Sequence, residues 1–309
     1  MRKVLCIGEA VYDIIFKNEQ PVEARPGGAM LNTSISLGRL NVPVSFSGDF
    51  ANDHVGRIIL NYLRNNNVNT RYVSMYENAR SRIALAFLDK QNNADYAFYK
   101  LRTDQALVLN VPDIKQDDIV IFGSYFGIKP EIREQLKAFL EKARNNKAIL
   151  IYDPNFRPAH LHLLRTVRPF IEENIAVSNI VKGSDEDFMN IYGTADSSET
   201  YKLLEPIGCR NFIYTANSKG VDLRSSELTK HYPSNELVPV STVGAGDSFN
   251  AGLVYALLEN NILYADIDNI QPEIWDKIIA TSIDFASHVC MIYDNYITEE
   301  FAKNYINND

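Results

Sequence analysis

Short apolar runs recur along this chain at residues 4–7, 119–123, 148–152 and 212–215, with an alternating strand-like stretch at 44–48 and segments of helical periodicity between them. That alternation constrains the fold more than any other feature. A run that is apolar at every position buries both faces, as strands of a parallel sheet do, and parallel neighbours need a crossover connection that is usually a helix. The intervening helices are read at 53–64, where Val55, Ile58, Ile59 and Leu63 form one face, and at 131–143, 185–192, 249–258 and 274–289. An earlier helix is carried by Met30, Leu31, Ile35, Leu37 and Leu40. Further strands are expected at 11–16, 175–177, and near Val221 and Leu237. The expectation is an α/β fold with a mostly parallel central sheet covered by helices on both faces.

The texture changes between residues 71 and 100. Runs at 71–76, 82–88 and 96–99 are strand-like, separated by polar turns and without helices between them. They predict a small antiparallel sheet, which with residues 11–25 forms a lid drawn from 11–25 and 71–103 inside one domain spanning 1–309. Such a sheet covers a site, serves as an oligomerisation surface, or does both.

Two glycine-bearing stretches are candidates for chemistry. Gly244-Ala245-Gly246-Asp247 precedes an apolar helical segment, so first-turn amides can bind anionic oxygens beside one carboxylate. Asp247 is then either an acid or base or only the cap that starts the helix. Pro26-Gly27-Gly28 opens the earlier helix, and Asn32 one turn inside faces the same space or the helix surface. Asp153-Pro154-Asn155-Phe156-Arg157-Pro158 follows the apolar run at 148–152, at the strand end where open α/β sheets bind ligands.

Other classes fit poorly. The chain has 31 basic and 39 acidic residues, a formal charge of -8, and no basic tract to recommend nucleic acid or an anionic membrane. Cys6, Cys209 and Cys290 are scattered and odd in number, unlike a disulfide or metal framework. No stretch approaches the roughly 18 to 20 apolar residues that span a bilayer. The apolar run after Met1-Arg2-Lys3 is too short for a signal peptide, so a cytoplasmic location is expected. There is no P-loop motif, and Gly8-Glu9-Ala10 is no dinucleotide fingerprint.

Taken in order, these motifs resemble the PfkB, ribokinase-like carbohydrate kinases, and among them most closely the fructokinases. The resemblance rests on Pro26-Gly27-Gly28-Ala29-Met30-Leu31-Asn32, on the Asp153 to Pro158 segment, and on Ser241-Thr242-Val243-Gly244-Ala245-Gly246-Asp247-Ser248-Phe249, and it covers nearly the whole chain. It implies a three-layer α/β/α core with a small β-sheet lid, and ATP-dependent phosphorylation of a sugar hydroxyl, with ATP and magnesium as cofactors. By this resemblance Asp247 is the catalytic base, with Gly244, Ala245 and Gly246 as the anion hole. Asp13, Gly27, Gly28 and Asn32 hold the sugar, Phe98 covers it, and Arg157 faces phosphate. Phe98 packing within the lid and Arg157 in a surface salt bridge are the competing readings. Arg102 is a further candidate near the lid. Lys182, Ser184, Asp187, Thr215, Asn217, Gly220, Gly244 and Gly246 are implied at the nucleotide, with Asp187 acting on magnesium through water.

The chain departs from the family pattern at several of these positions. Ser184 and Asp187 stand in an Asn-x-x-Glu element, and Asn217 replaces the first glycine of a Thr-x-Gly-x-x-Gly loop, where asparagine tolerates a left-handed backbone. Ser241 replaces an aspartate that helps hold a monovalent cation, so weak or absent potassium activation is expected. The acceptor is expected to be fructose, with ribose, a keto-deoxy sugar acid or a nucleoside as alternatives. A catalytically weak sugar-binding regulatory protein is the reading from a different class. The expected partners are a small sugar and a nucleotide, and the lid analogy implies a homodimer.

Overall fold

The computed structural model describes residues 2–88, 94–99, 103–225 and 228–307. Its elements run β1 (Val4–Ile7), β2 (Val11–Lys17), β3 (Gln20–Gly27), α1 (Ala29–Arg39), β4 (Val44–Ala51), α2 (His54–Asn65) and β5 (Asn69–Tyr76). Then come β6 (Ile83–Leu88), β7 (Ala94–Tyr99), β8 (Ile119–Gly123), α3 (Arg133–Asn145), β9 (Ile149–Asp153), α4 (Leu164–Val177), β10 (Ile180–Ser184) and α5 (Asp185–Tyr192). The remainder is α6 (Ser197–Leu204), β11 (Asn211–Thr215), β12 (Val221–Arg224), β13 (Thr229–Tyr232), α7 (Ala245–Glu259), α8 (Pro272–Cys290) and α9 (Glu299–Asn307).

Nine strands form the central sheet in the order β13-β12-β11-β10-β9-β8-β1-β4-β5. From β5 to β11 every pairing is parallel, and at one edge β12 runs antiparallel to both of its neighbours, β11 and β13. The strand alternation decides the layers. Val4 and Cys6 face one apolar cluster, while Leu5 and Ile7 face the other. Helices α1, α2, α7, α8 and α9 supply the first cluster and α3 to α6 the second, giving the expected three-layer α/β/α core. The chain builds outward from β1 to β4 and β5, then returns to build β8 to β11 on the other side. That reversal leaves a crevice at the carboxyl ends of β1 and β8, where doubly wound sheets bind ligands.

A second sheet has the order β3-β2-β6-β7. Four expectations are corrected here. Residues 71–76 belong to β5, which pairs with β4 in the central sheet through the α2 crossover, so the small sheet takes from this region only β6 and β7. The small sheet is mixed, since β2 and β6 are parallel, and the expected lid segment 11–25 ends in a second strand, β3, that runs on to Gly27. Residues 175–177 end α4, because Ile171 and Ile175 bury one turn apart on a helical face, and the strand begins at Ile180. Leu237 lies in a loop, and the last strand is Thr229–Tyr232.

Candidate active site

The amino terminus of α7 opens beside the carboxyl ends of the central strands. Gly244 caps it with φ 80°, and a Cβ there would lie 2.3 Å from the Asn295 carbonyl oxygen, so only glycine fits the turn. The Ala245 amide donates to Thr242 O at 3.3 Å, and the Ser248 amide closes on Gly244 O at 2.9 Å. Helix geometry leaves the Gly246 and Asp247 amides without an intrahelical acceptor. Two donors at a helix amino terminus suit anionic oxygens. A Cβ on Gly246 would meet only Lys182 Nζ within 4 Å, so the turn can be approached closely from outside.

Asp247 is the third residue of α7 and not its cap. Its Oδ2 accepts from Asn32 Nδ2 at 2.8 Å, and its carbonyl accepts from Thr33 Oγ1 at 2.9 Å. Oδ1 has no hydrogen-bond partner among the described residues. Burial raises the Asp247 pKa, the Asn32 hydrogen bond opposes that, Asp153 adds to it, and Lys182 and Arg157 offset it. Asn32 is 3% exposed, which settles that it faces inward.

Asp13 enters from the small sheet. It pairs in register with Arg25 on β3 and Ala84 on β6, and Ala84 pairs with Phe98 on β7. Registered residues share a face, so Arg25, Asp13, Ala84 and Phe98 form one row. Phe98 is 59% exposed on that row. A Cβ on Gly27 would sit 2.1 Å from Asp13 Oδ2, so glycine there makes room for the carboxylate, while Gly28 caps α1. Burial pushes the Asp13 carboxyl up to about 6, with Arg25 pulling it down and Asp247 raising it further. That mutual repulsion puts Asp13 and Asp247 in one electrostatic neighbourhood.

Beneath the turn lies a buried polar cluster. Lys182 Nζ is 3.0 Å from Asp153 Oδ2 and 3.4 Å from the Gly246 carbonyl, and Asn250 Nδ2 donates to the same Asp153 oxygen at 2.6 Å. Sequence reasoning did not single out Asp153 or Asn250 as site residues. Their signals were the polar residue that closes the β9 run and the amide one turn beyond Asp247 on α7. Asp153 Oδ1, Asn250 Oδ1 and Ser248 Oγ are buried without a hydrogen-bond partner among the described residues. Lys182, expected at the nucleotide, lies under the turn, 3% exposed.

Ser184 and Asp187 form a capping box at the start of α5. Asp187 Oδ2 accepts from Ser184 N and Oγ at 2.8 and 2.7 Å, and Oδ1 accepts from Phe156 N at 2.7 Å, so this carboxylate ties the loop after β9 to α5. Burial and Asp153 raise its pKa. Arg157 is exposed and lies 3.5 Å from Glu186, in the arrangement of a surface ion pair. Thr215 ends β11 with its hydroxyl 3.4 Å from Gly183 O, Asn217 takes the expected left-handed backbone at φ 48°, and Gly220 leads into β12. Ser241 Oγ accepts from Val243 N at 3.2 Å, a local turn contact. Arg102 lies outside the described residues. The structure therefore brings together Asp13, Gly27, Gly28, Asn32 and Gly244 to Asp247 over Lys182, while Arg157 points to the surface.

The open turn with its two unpaired amides fits a phosphate chain. Among the described residues no three His, Cys, Asp or Glu side chains converge as a metal centre, and the Asp187 oxygens, expected to act on magnesium through water, accept from Ser184 and Phe156.

Comparison with known proteins places the family and the fold. The model of the pfkB family carbohydrate kinases matches residues 1–292. A fructokinase of Rhizobium leguminosarum bv. trifolii is 30% identical over 270 residues, covering 84% of this chain and 81% of that protein. Among solved structures, the fructokinase of Vibrio cholerae O395 with fructose, ADP and calcium ion bound shares the fold at a TM-score of 0.84, with 18% identity over 99% of each chain. The aminoimidazole riboside kinase of Salmonella enterica, complexed with aminoimidazole riboside and an ATP analogue, has a TM-score of 0.82 at 19% identity, covering 99% of this chain and 100% of that one.

Proposed function

We propose that this chain, which belongs to the pfkB family of carbohydrate kinases, transfers the γ-phosphoryl group of ATP to a hydroxyl of fructose with Asp247 as general base. The observation that carries the reading is the Asp247 carboxylate, pinned through Oδ2 by Asn32 and with Oδ1 unbonded, directly at the helix turn whose amides are free. Asp13, Gly27, Gly28 and Asn32 orient the sugar. Asp247 Oδ1 then takes the hydroxyl proton as the sugar oxygen attacks phosphorus, and the Gly246 and Asp247 amides stabilise the charge that shifts onto the phosphoryl oxygens. Magnesium, when bound with ATP, supplies charge neutralisation on those oxygens. The similarity to a fructokinase of Rhizobium leguminosarum supports fructose as the acceptor. Similarity to an aminoimidazole riboside kinase favours a second reading with a riboside acceptor.

A coupled ATP-consumption assay across fructose, ribose, glucose, a keto-deoxy sugar acid, adenosine and aminoimidazole riboside separates these readings. Fructose is expected to give the highest kcat/KM, with little change when choline replaces potassium, because Ser241 brings one neutral oxygen where a carboxylate would attract a cation. A higher kcat/KM for a riboside would overturn the acceptor assignment, and strong selective potassium activation would overturn the cation argument. ATP turnover with none of them would favour a sugar-binding regulatory role.

The small sheet acts as the lid in this proposal, with Phe98 over the sugar on the Asp13 face. Its opposite face carries the stacked pair Phe16 and Phe87, ring centroids 5.0 Å apart, and the 59% exposed Tyr99. We assign that face to a homodimer. Light scattering should give twice the chain mass for the native protein and a monomer for Phe87→Asp; a native monomer would contradict the assignment. No helix among the described residues is long and apolar enough to cross a membrane, and the proposed location is the cytoplasm.

A further inference from the structure

Arg25 stands in the same row of the small sheet as Asp13 and is 6% exposed. One nitrogen, NH1, donates to the Tyr293 carbonyl and lies 3.4 Å from Asp294 Oδ1. The other, NH2, pairs with Glu23, while Nε is buried without a hydrogen-bond partner among the described residues. Tyr293 and Asp294 belong to the segment that continues to Asn295, whose carbonyl oxygen would lie 2.3 Å from a Cβ on Gly244. A single buried guanidinium therefore reaches from the strand pair that carries Asp13 to the loop that backs the phosphate-binding turn.

We propose that Arg25 is a positioning residue that locks the small sheet onto this loop, so that the Asp13 carboxylate and the Gly244 turn are held in one fixed relation. The planar fork is what permits this, since separate nitrogens address separate partners, whereas a lysine ammonium is a point charge. The inference rests on the kinase reading for what the two parts do, and on geometry alone for their linkage. The charged groups that act on Asp13 are Arg25 from β3 and Asp247 from α7. Those that face Arg25 are Glu23 and Asp294, both half exposed and so weakened by solvent.

Arg82 provides the contrast. It is equally buried at the start of β6, but it is engaged by Asp49 at 2.7 Å and by Glu9 at 3.6 Å, away from the loop at 293–295. It is not among the charged groups that move the Asp13 carboxyl, which are Arg25 and Asp247.

The test compares wild type, Arg25→Met, Arg25→Lys and Arg82→Met by carbon-13 NMR titration of the Asp13 carboxyl, assigned with Asp13→Asn, beside kcat and KM for fructose. Burial pushes the wild-type carboxyl up to about 6, so kcat/KM is expected to fall as the pH drops through that value and Asp13 loses its charge. Arg25→Met should move the titration upward by about one unit and raise KM about tenfold, the scale of one charge-assisted hydrogen bond. Arg25→Lys keeps the charge and should restore the titration while leaving kcat/KM low, because the fork is lost. Arg82→Met should leave the Asp13 titration in place. An unmoved titration in folded Arg25→Met, or full kcat/KM in Arg25→Lys, would overturn the proposal. If the titration moves and wild type phosphorylates no sugar, the linkage stands and the kinase reading fails.

Discussion

Asp247→Asn should lower turnover about a thousandfold and leave fructose binding within about twofold, because the substitution removes the base and keeps the shape. The amide oxygen of asparagine can still accept from Asn32 Nδ2, the contact that is 2.8 Å long in the native site, so the α1 and α7 junction stays closed. What is lost is an oxygen able to receive the hydroxyl proton. Burial has already raised the pKa of this carboxyl, which improves it as a base relative to an exposed aspartate. Steady-state kcat and calorimetric fructose affinity check the two halves separately. Loss of affinity with kcat retained would make Asp247 a sugar-binding group and leave the base unassigned.

Asp153→Ala should cost about 3–5 kcal/mol of stability, the penalty for stranding one partner of a buried ion pair. The side chains of Lys182 and Asp153 are 4% and 2% exposed, and the carboxylate also holds Asn250 Nδ2 at 2.6 Å. Without it the ammonium keeps, among the described residues, the Gly246 carbonyl at 3.4 Å, and that carbonyl belongs to the turn proposed to bind phosphate. Turnover should therefore fall together with stability. Adding Lys182→Met to Asp153→Ala removes the stranded charge and should recover most of the stability but not the turnover. Urea unfolding of the three proteins decides it. A single variant within about 1 kcal/mol of wild type would place it with ordinary surface substitutions and show that solvent reaches the pair.

These consequences were only partly legible in the amino-acid order. Runs such as 4–7 and 119–123 announce buried parallel strands because every position must be apolar, and the layers follow from their alternation. The membership of β5 did not show, because its half-buried pattern suits an edge strand of either sheet, and only the α2 crossover commits it to β4. The end of α4 was misread because Ile175, Ala176 and Val177 are as compatible with a strand as with the last turn of a helix. At the site, glycine turns and the adjacent Asp247 are local and therefore visible. The Lys182, Asp153 and Asn250 cluster joins three elements remote in the chain, and Arg25 contacts residues 268 and 269 positions away. Nothing local marks such partners until the sheet brings them together.

The account turns on where the phosphoryl group goes. Incubating the protein with fructose and ATP labelled at the γ-phosphate, then locating the label by NMR and mass spectrometry, addresses that directly. Label on a single fructose hydroxyl in the wild type, and its disappearance in Asp247→Asn, is the predicted result. Label found only in inorganic phosphate, or equal transfer to fructose by both proteins, would contradict it.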